Sequence, residues 1–231
     1  DSLGGGAGDD LIYGGAGDDT INYSDDSGND TVYGGEGNDL VRYSTVPGNK
    51  VIFGEAGDDN LSGGLGNDSL DGGAGNDELR GNEGNDTLDG GEGSDTMTGG
   101  SGNDTFNVNS GTDTVTELGG ATGTQEDVLV VSSGATASAT GVVGFTATAD
   151  TTNAGTANVY AAAAGAEIDL TLATGSVGFL MHGGAGADVL TGTVLADSIS
   201  GADGADILTG NGGNDTMSGG SGRDTFNAKS G

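Results

Sequence analysis

From Gly54 to Asn107 the chain reads GEAGDDNLS, GGLGNDSLD, GGAGNDELR, GNEGNDTLD, GGEGSDTMT and GGSGNDTFN, block after block of nine residues. Two further copies, GGAGDDLIY and GGAGDDTIN, run from Gly5. A second set opens at Gly183 with GGAGADVLT, GTVLADSIS, GADGADILT, GNGGNDTMS and GGSGRDTFN, and closes at Asn227. The sixth place is Asp in every one of these copies. The eighth is always apolar: Ile12, Ile21, Leu61, Leu70, Leu79, Leu88, Met97 and Phe106, then Leu190, Ile199, Leu208, Met217 and Phe226. Self-similarity at a fixed period is the mark of a repeat architecture, so the repeat governs how the rest is read.

The composition looks different in that light. The 231 residues include 52 Gly, one Pro, no Cys and no Trp, and 36 acids against five bases give a net charge of −31. Without the repeat this would read as a disordered, self-repelling chain. A flexible linker, however, has no use for a fixed apolar eighth place. The absence of Cys excludes a disulfide scaffold, a thiolate metal site and a Cys nucleophile. The single His, His182, argues against a multi-histidine zinc centre or a Ser/His catalytic set and is read as a structural residue. Acidity argues against nucleic-acid partners, which require a basic footprint. No apolar run approaches the ~20 residues needed for a transmembrane segment.

The nonapeptides resemble those of the repeats-in-toxin (RTX) family, G-G-x-G-x-D-x-U-x with U apolar, a calcium-binding parallel β-helix signature. The match covers most of 1–116 and 183–231. The resemblance implies an all-β fold: a calcium-stabilised parallel β-roll (solenoid), with two roll blocks joined by a calcium-poor β segment. In that roll two nonapeptides make one coil, and the turns stack in two columns, one along each edge. Each ion is held between neighbouring turns of a column. Carried onto this sequence, the carboxylate ligands are Asp1, Asp10, Asp19, Asp30, Asp39, Asp59, Asp68, Asp77, Asp86, Asp95, Asp104 and Asp113, then Asp188, Asp197, Asp206, Asp215 and Asp224. The turn glycines that join them are Gly5, Gly14, Gly34, Gly54, Gly63, Gly72, Gly81, Gly90 and Gly99, then Gly183, Gly201, Gly210 and Gly219.

The chemistry of these residue types points the same way. Gly at the first, second and fourth places allows positive φ and a tight turn that aims carbonyl oxygens inward. Asp at place six adds a carboxylate. Carbonyls plus carboxylates, without N or S ligands, suit a hard cation taking six to eight oxygens, which favours Ca²⁺ over the smaller octahedral Mg²⁺. Places seven to nine form a short strand with the eighth side chain inward, because side chains alternate along a strand. So few apolar side chains per coil cannot offset the entropy of ordering its backbone, so metal binding supplies folding free energy. Turn pairs of this number would take roughly a dozen ions.

Two eleven-residue units, YSDDSGNDTVY from Tyr23 and YSTVPGNKVIF from Tyr43, flank GGEGNDLVR at Gly34. In the first, Asp25 and Asp26 replace the Gly pair while Asp30 keeps the sixth place. In the second, Lys50 takes that place, in the column of Asp10, Asp30, Asp68, Asp86 and Asp104. An ammonium cannot ligate a cation. Lys50 either supplies charge in place of an ion, facing Asp30 or Asp68, or points to solvent beside an empty turn. The same stretch carries Tyr13, Tyr23, Tyr33, Tyr43 and Phe53 at ten-residue intervals. Alternation puts Tyr13, Tyr33 and Phe53 outward beside Leu11 and Val51, and Tyr23 and Tyr43 inward. The outward set reads either as cross-strand stabilisation or as an apolar patch meeting other domains of the same chain or neighbouring copies.

Three segments follow: 1–116, the first roll block; 117–182, an Ala/Thr-rich β linker with capping strands; and 183–231, a truncated second block. Within the linker, VLVV at Val128, GFTATA at Gly144, ANVYAAAA at Ala157, EIDLTL at Glu167 and VGFLM at Val177 read as strands. The last two are expected to form calcium-free coils capping the second block. VNSGTDTVT, 108–116, reads as a degenerate turn using Asp113, and AKSG from Ala228 mirrors it. The chain opens and closes inside repeats, which suggests a longer protein around it. The reading is a non-catalytic, calcium-binding structural segment of a secreted or cell-surface bacterial protein, of surface-layer or adhesin type. Its alternative is a calcium-triggered folding and secretion module of a type I-secreted enzyme or toxin. Outward Thr residues, such as Thr20, Thr31 and Thr87, are too interrupted by charged residues to make an ice- or glycan-binding array.

Overall fold

The computed structural model describes residues 2–23, 27–43, 45, 47–120 and 125–227, which hold strands, turns and irregular segments and no helix. The expectations for Asp1, for the Tyr23 side chain and for a turn from Ala228 lie outside the described residues. The chain divides into two compact units, Asp1–Asp113 and Thr114–Gly231.

In the first unit each nonapeptide contributes one strand, as in Asn60–Leu65, Ser69–Ala74, Glu78–Glu83, Thr87–Glu92 and Thr96–Ser101. These strands run past the expected three residues into the first three places of the next repeat. Every pairing is parallel and joins a strand to the one two repeats on: Leu70 sits opposite Leu88, and Leu79 opposite Met97. The step between coils is 18 residues there. It lengthens to 20 where an eleven-residue unit takes part, and Ile12, Val32 and Ile52 then line up. The result is a parallel β-roll with two sheets facing each other.

The eighth places fill the space between the sheets. Ile12, Val32, Ile52, Leu70, Leu88 and Phe106 descend one wall; Ile21, Val41, Leu61, Leu79 and Met97 descend the other; all are buried. Each such side chain contributes about 1.5–3 kcal/mol by leaving water. Tyr43 is fully buried, as alternation predicts, while Tyr13 is outward and 62% exposed.

The second unit is also built from parallel coils, with a different cross-section. Three strand sets stack in its acid-poor part. One comprises Val128–Val131, Thr152–Asn153 and Thr174–Gly175. Another begins with Thr136–Val142, Thr156–Ala161 and Leu180–His182, and a third with Gly144–Thr146 and Glu167–Asp169. Coils here step by 20 to 23 residues, and a third strand set forms the third side. From Asp188 the step returns to 18. Leu180–His182 pairs with Ser198–Ser200, and Glu167–Asp169 with Val189–Thr191, so acid-poor coils stack directly on the repeats that follow.

Each of the five stretches expected as strands in the linker holds one, over its full length at Val128–Val131 and over part of it in the other four, VGFLM entering its strand only at Leu180. Thr136–Val142 was not expected, because TASATGV lacks the β-branched and aromatic run that marks a strand. Its alternation is nevertheless regular: Ala137 and Ala139 are fully buried, beside Ala157 and Val159 of the next strand. The inward role expected of the last two eighth places is not borne out: Met217 is half-buried and Phe226 is 50% exposed. Phe226 lies at the end of its sheet, in Thr225–Asn227, where no described coil covers its other side.

Candidate metal centre

The sixth-place aspartates form stacked columns because the chain returns to each edge once per coil. One carboxylate oxygen, Oδ1, is committed to structure: it accepts the backbone N–H of the sixth-place residue one coil earlier. Asp10 N donates to Asp30 at 3.0 Å, Asp68 N to Asp86 at 2.7 Å, and Asp86 N to Asp104 at 2.9 Å. The other edge runs through Asp19, Asp39, Asp59, Asp77, Asp95 and Asp113 with donor distances of 2.7–3.1 Å. In the second unit Ala166 N donates to Asp188, Asp188 N to Asp206 and Asp206 N to Asp224; Phe179 N donates to Asp197 and Asp197 N to Asp215.

The second oxygen is left over. Oδ2 of Asp10, Asp30, Asp39, Asp59, Asp68, Asp77, Asp86, Asp95, Asp113 and Asp206 is buried without a hydrogen-bond partner. Leaving buried polar atoms unsatisfied is costly, and a whole column of them calls for a cation.

The glycines explain how room is kept for one. A Cβ on Gly34, Gly54, Gly63, Gly72, Gly81, Gly90 or Gly99 would lie 2.2–2.4 Å from Oδ2 of the same repeat's Asp. On Gly54 it would also lie 2.5 Å from the carbonyl oxygen of Gly72, and on Gly72 2.6 Å from that of Gly90. Gly5, Gly14, Gly183, Gly201, Gly210 and Gly219 show the same closeness to their aspartates. The space above Gly34, Gly54, Gly72, Gly81, Gly183 and Gly201 is thus walled by a carboxylate oxygen and a carbonyl oxygen. Among the described residues no three acidic or imidazole side chains converge. The donor set on offer is therefore one carboxylate at a time plus backbone carbonyls, which fits a hard cation such as Ca²⁺.

Positive φ was expected at the first place as well. It occurs at the second and fourth places only, for example Gly73 at 99° and Gly75 at 149°. At the first place glycine is required for space rather than for backbone freedom. The second place even admits side chains: Glu55, Asn82, Ala202 and Asn211 hold φ of 67–81°.

Without cations, burial makes Asp59, Asp77, Asp86 and Asp113 harder to ionise. Burial, with neighbouring carboxylates adding to it, raises Asp59 to about 6 and Asp77, Asp86 and Asp113 to about 7. Burial likewise raises Asp39, Asp68, Asp95 and Asp197.

Asp197 differs from the rest. Its repeat, GTVLADSIS, has lost the second and fourth glycines, and Thr193 caps the carboxylate with its N–H at 2.7 Å and its hydroxyl at 3.0 Å. In Asp188, Oδ2 accepts the Gly184 N–H at 3.0 Å.

Lys50 is 1% exposed, so the solvent-pointing alternative fails. Its Nζ faces neither Asp30 nor Asp68 as first partner. It donates to the carbonyls of Gly28 at 2.8 Å, Gly48 at 2.8 Å and Pro47 at 3.2 Å.

A second ladder escaped the sequence reading. At place five, Asn49 N donates to the Asn29 amide oxygen, Asn67 N to Asn49 and Asn85 N to Asn67, at 2.8–2.9 Å. It is exposed and runs beside the aspartate column. The recurrent Asn or Asp before each sixth-place Asp was the available signal.

Tyr13, Tyr33 and Phe53 stack on the outer face, with ring centroids 5.1 and 4.9 Å apart. His182 stacks on Tyr160 at 4.6 Å, and burial lowers its pKa.

The sequence profile of the RTX calcium-binding nonapeptide repeat, built on four copies, matches residues 1–27, 23–43, 47–79, 80–115, 180–193 and 191–226. No curated protein matches the chain.

Proposed function

The chain belongs to the RTX calcium-binding nonapeptide repeat family, and from that premise we propose that it is a structural β-roll segment of a larger secreted or cell-surface protein, of surface-layer or adhesin type, that folds on meeting extracellular calcium. The observation that carries this reading is the column of buried Oδ2 atoms without hydrogen-bond partners. The ions are held by the sixth-place aspartates, Asp10 through Asp113 and Asp188 through Asp224, together with carbonyls of the first-place glycines. Calcium supplies charge neutralisation and oxygen ligation there. The protein's own residues do the rest: Oδ1 holds the aspartate in register, glycine leaves the space, and the eighth places close the core. Asp197 contributes least, since Thr193 already satisfies it. The outward ladder of Tyr13, Tyr33 and Phe53 is the face offered to other domains or neighbouring copies.

The test is a calcium titration of the chelated chain. Millimolar calcium should produce a large gain in β circular dichroism and a fall in radius of gyration by small-angle scattering. A chelated chain that is already as folded and compact would refute the reading.

A further inference from the structure

We propose that Lys50 is a built-in cation standing in for one calcium ion, so that the coil around it closes without metal and starts the assembly of the roll. The inference deepens the calcium reading above and rests on it.

Lys50 occupies the sixth place of its repeat, and its backbone keeps the column in register by donating to Oδ1 of Asp68 at 2.6 Å. The side chain does what an aspartate cannot. Its three N–H donors are met by three carbonyls, two from its own turn (Pro47 and Gly48) and one from the turn of the preceding coil (Gly28). Gly28 and Gly48 are fourth-place residues of consecutive coils, and Gly48 keeps the fourth-place conformation with φ of 111°. The ammonium therefore ties together the same turns that an ion would bridge in the rest of the column.

The site is completed by Tyr43. Its buried ring lies 4.9 Å from Nζ, a cation–π contact made inside the core. The eleven-residue unit that begins with this tyrosine carries both halves of the site. Thr45 stands at its first place, where glycine makes room for a carboxylate oxygen in ordinary repeats. With Lys50 in place of Asp there is no such oxygen to avoid.

A free ion stabilises a fold by an amount that grows with the logarithm of its concentration over its dissociation constant and vanishes when the ion is scarce, whereas a tethered ammonium is present at any calcium level. Coils of a solenoid contact only their neighbours, so order started in one coil can spread along the stack. The coil of Lys50 is then the one the first unit can close before calcium arrives.

Hydrogen exchange on the full chain in excess chelator reads this out. Amides of 47–53 should exchange about tenfold or more slowly than those of 78–101, and Lys50→Met should abolish the difference. Equal rates in the unaltered chain, or no change in Lys50→Met, would overturn the proposal. Native mass spectrometry in saturating calcium gives the second readout. Lys50→Asp, which restores the repeat, should bind one calcium more than the unaltered chain, while an unchanged count overturns the proposal. A chain that binds no calcium at all would instead refute the function proposed above, without touching the exchange result.

Discussion

Glycine does three different jobs in one nonapeptide, and each predicts a different response to substitution. At the fourth place it supplies a conformation and a close approach together: a Cβ on Gly75 would lie 1.8 Å from the Gly57 carbonyl. Gly75→Ala should therefore prevent the calcium-loaded roll from forming its full circular dichroism signal. At the second place the conformation is demanding and a Cβ would also approach the preceding coil, as on Gly73 beside the Glu55 carbonyl, yet Glu55, Asn82, Ala202 and Asn211 show that a side chain is accommodated there. A non-glycine residue in the left-handed region costs about 1–2 kcal/mol, partly offset by about 0.4–1 kcal/mol of unfolded-state entropy that glycine brings. Ala202→Gly should thus raise stability by up to about 1 kcal/mol in calcium-saturated denaturation, against the usual sense of such a change. At the first place the demand is for the room beside the carboxylate, and Gly81→Ala should lower the number of bound calcium ions.

At the scale of one edge column, charge and burial oppose each other until something intervenes. The folded pKa values of Asp59, Asp77, Asp86 and Asp113 stand at about 6 to 7, above the ~3.9 of an unfolded chain. Groups raised in this way stabilise the metal-free fold in acid, and that contribution is lost as pH rises from about 4 through about 7. The chelated chain should gain β signal when the pH is lowered from 8 to 5. Protons and calcium compete for the same oxygens, so calcium affinity should be weaker at pH 5.5 than at pH 7.5 by isothermal titration. The outer face adds a smaller term. Tyr33 stacks on both Tyr13 and Phe53, and Tyr33→Ala should cost about 1–3 kcal/mol in calcium-saturated unfolding, as two aromatic pairs are lost.

The whole chain alternates between two ways of holding a coil closed. In 54–113 every edge carries a buried aspartate, whose charge a cation neutralises on the function proposed above. In 128–182 the acids are few, the coil has a third side, and Ala137, Ala139, Ala157, Phe145 and Phe179 fill it without charge. Amide exchange in chelator should leave protection in 128–182 while 78–113 exchanges freely, and both should be protected in calcium.

The period of nine, the inward eighth place as far as Leu208 and the outward Tyr13–Tyr33–Phe53 ladder were legible in the residues, because a solenoid repeats local rules, while the two-repeat coil came with the resemblance to the RTX family. The buried aspartate was legible as a residue, since Asp recurs at place six of every unit but the one that carries Lys50. What only the tertiary structure decided is how each atom is used. The division of the carboxylate between Oδ1 for the backbone and Oδ2 for a cation depends on the neighbouring coil. So do the spatial rather than conformational need for Gly at place one, the place-five ladder, and the capping of Asp197 by Thr193. Thr136–Val142 became a strand because alanines fit a cross-section that no local propensity reports. Lys50 could be read two ways from its place in the column. Only the stacking of Gly28 over Gly48, set by a 20-residue coil, brings three carbonyls and the Tyr43 ring around its ammonium.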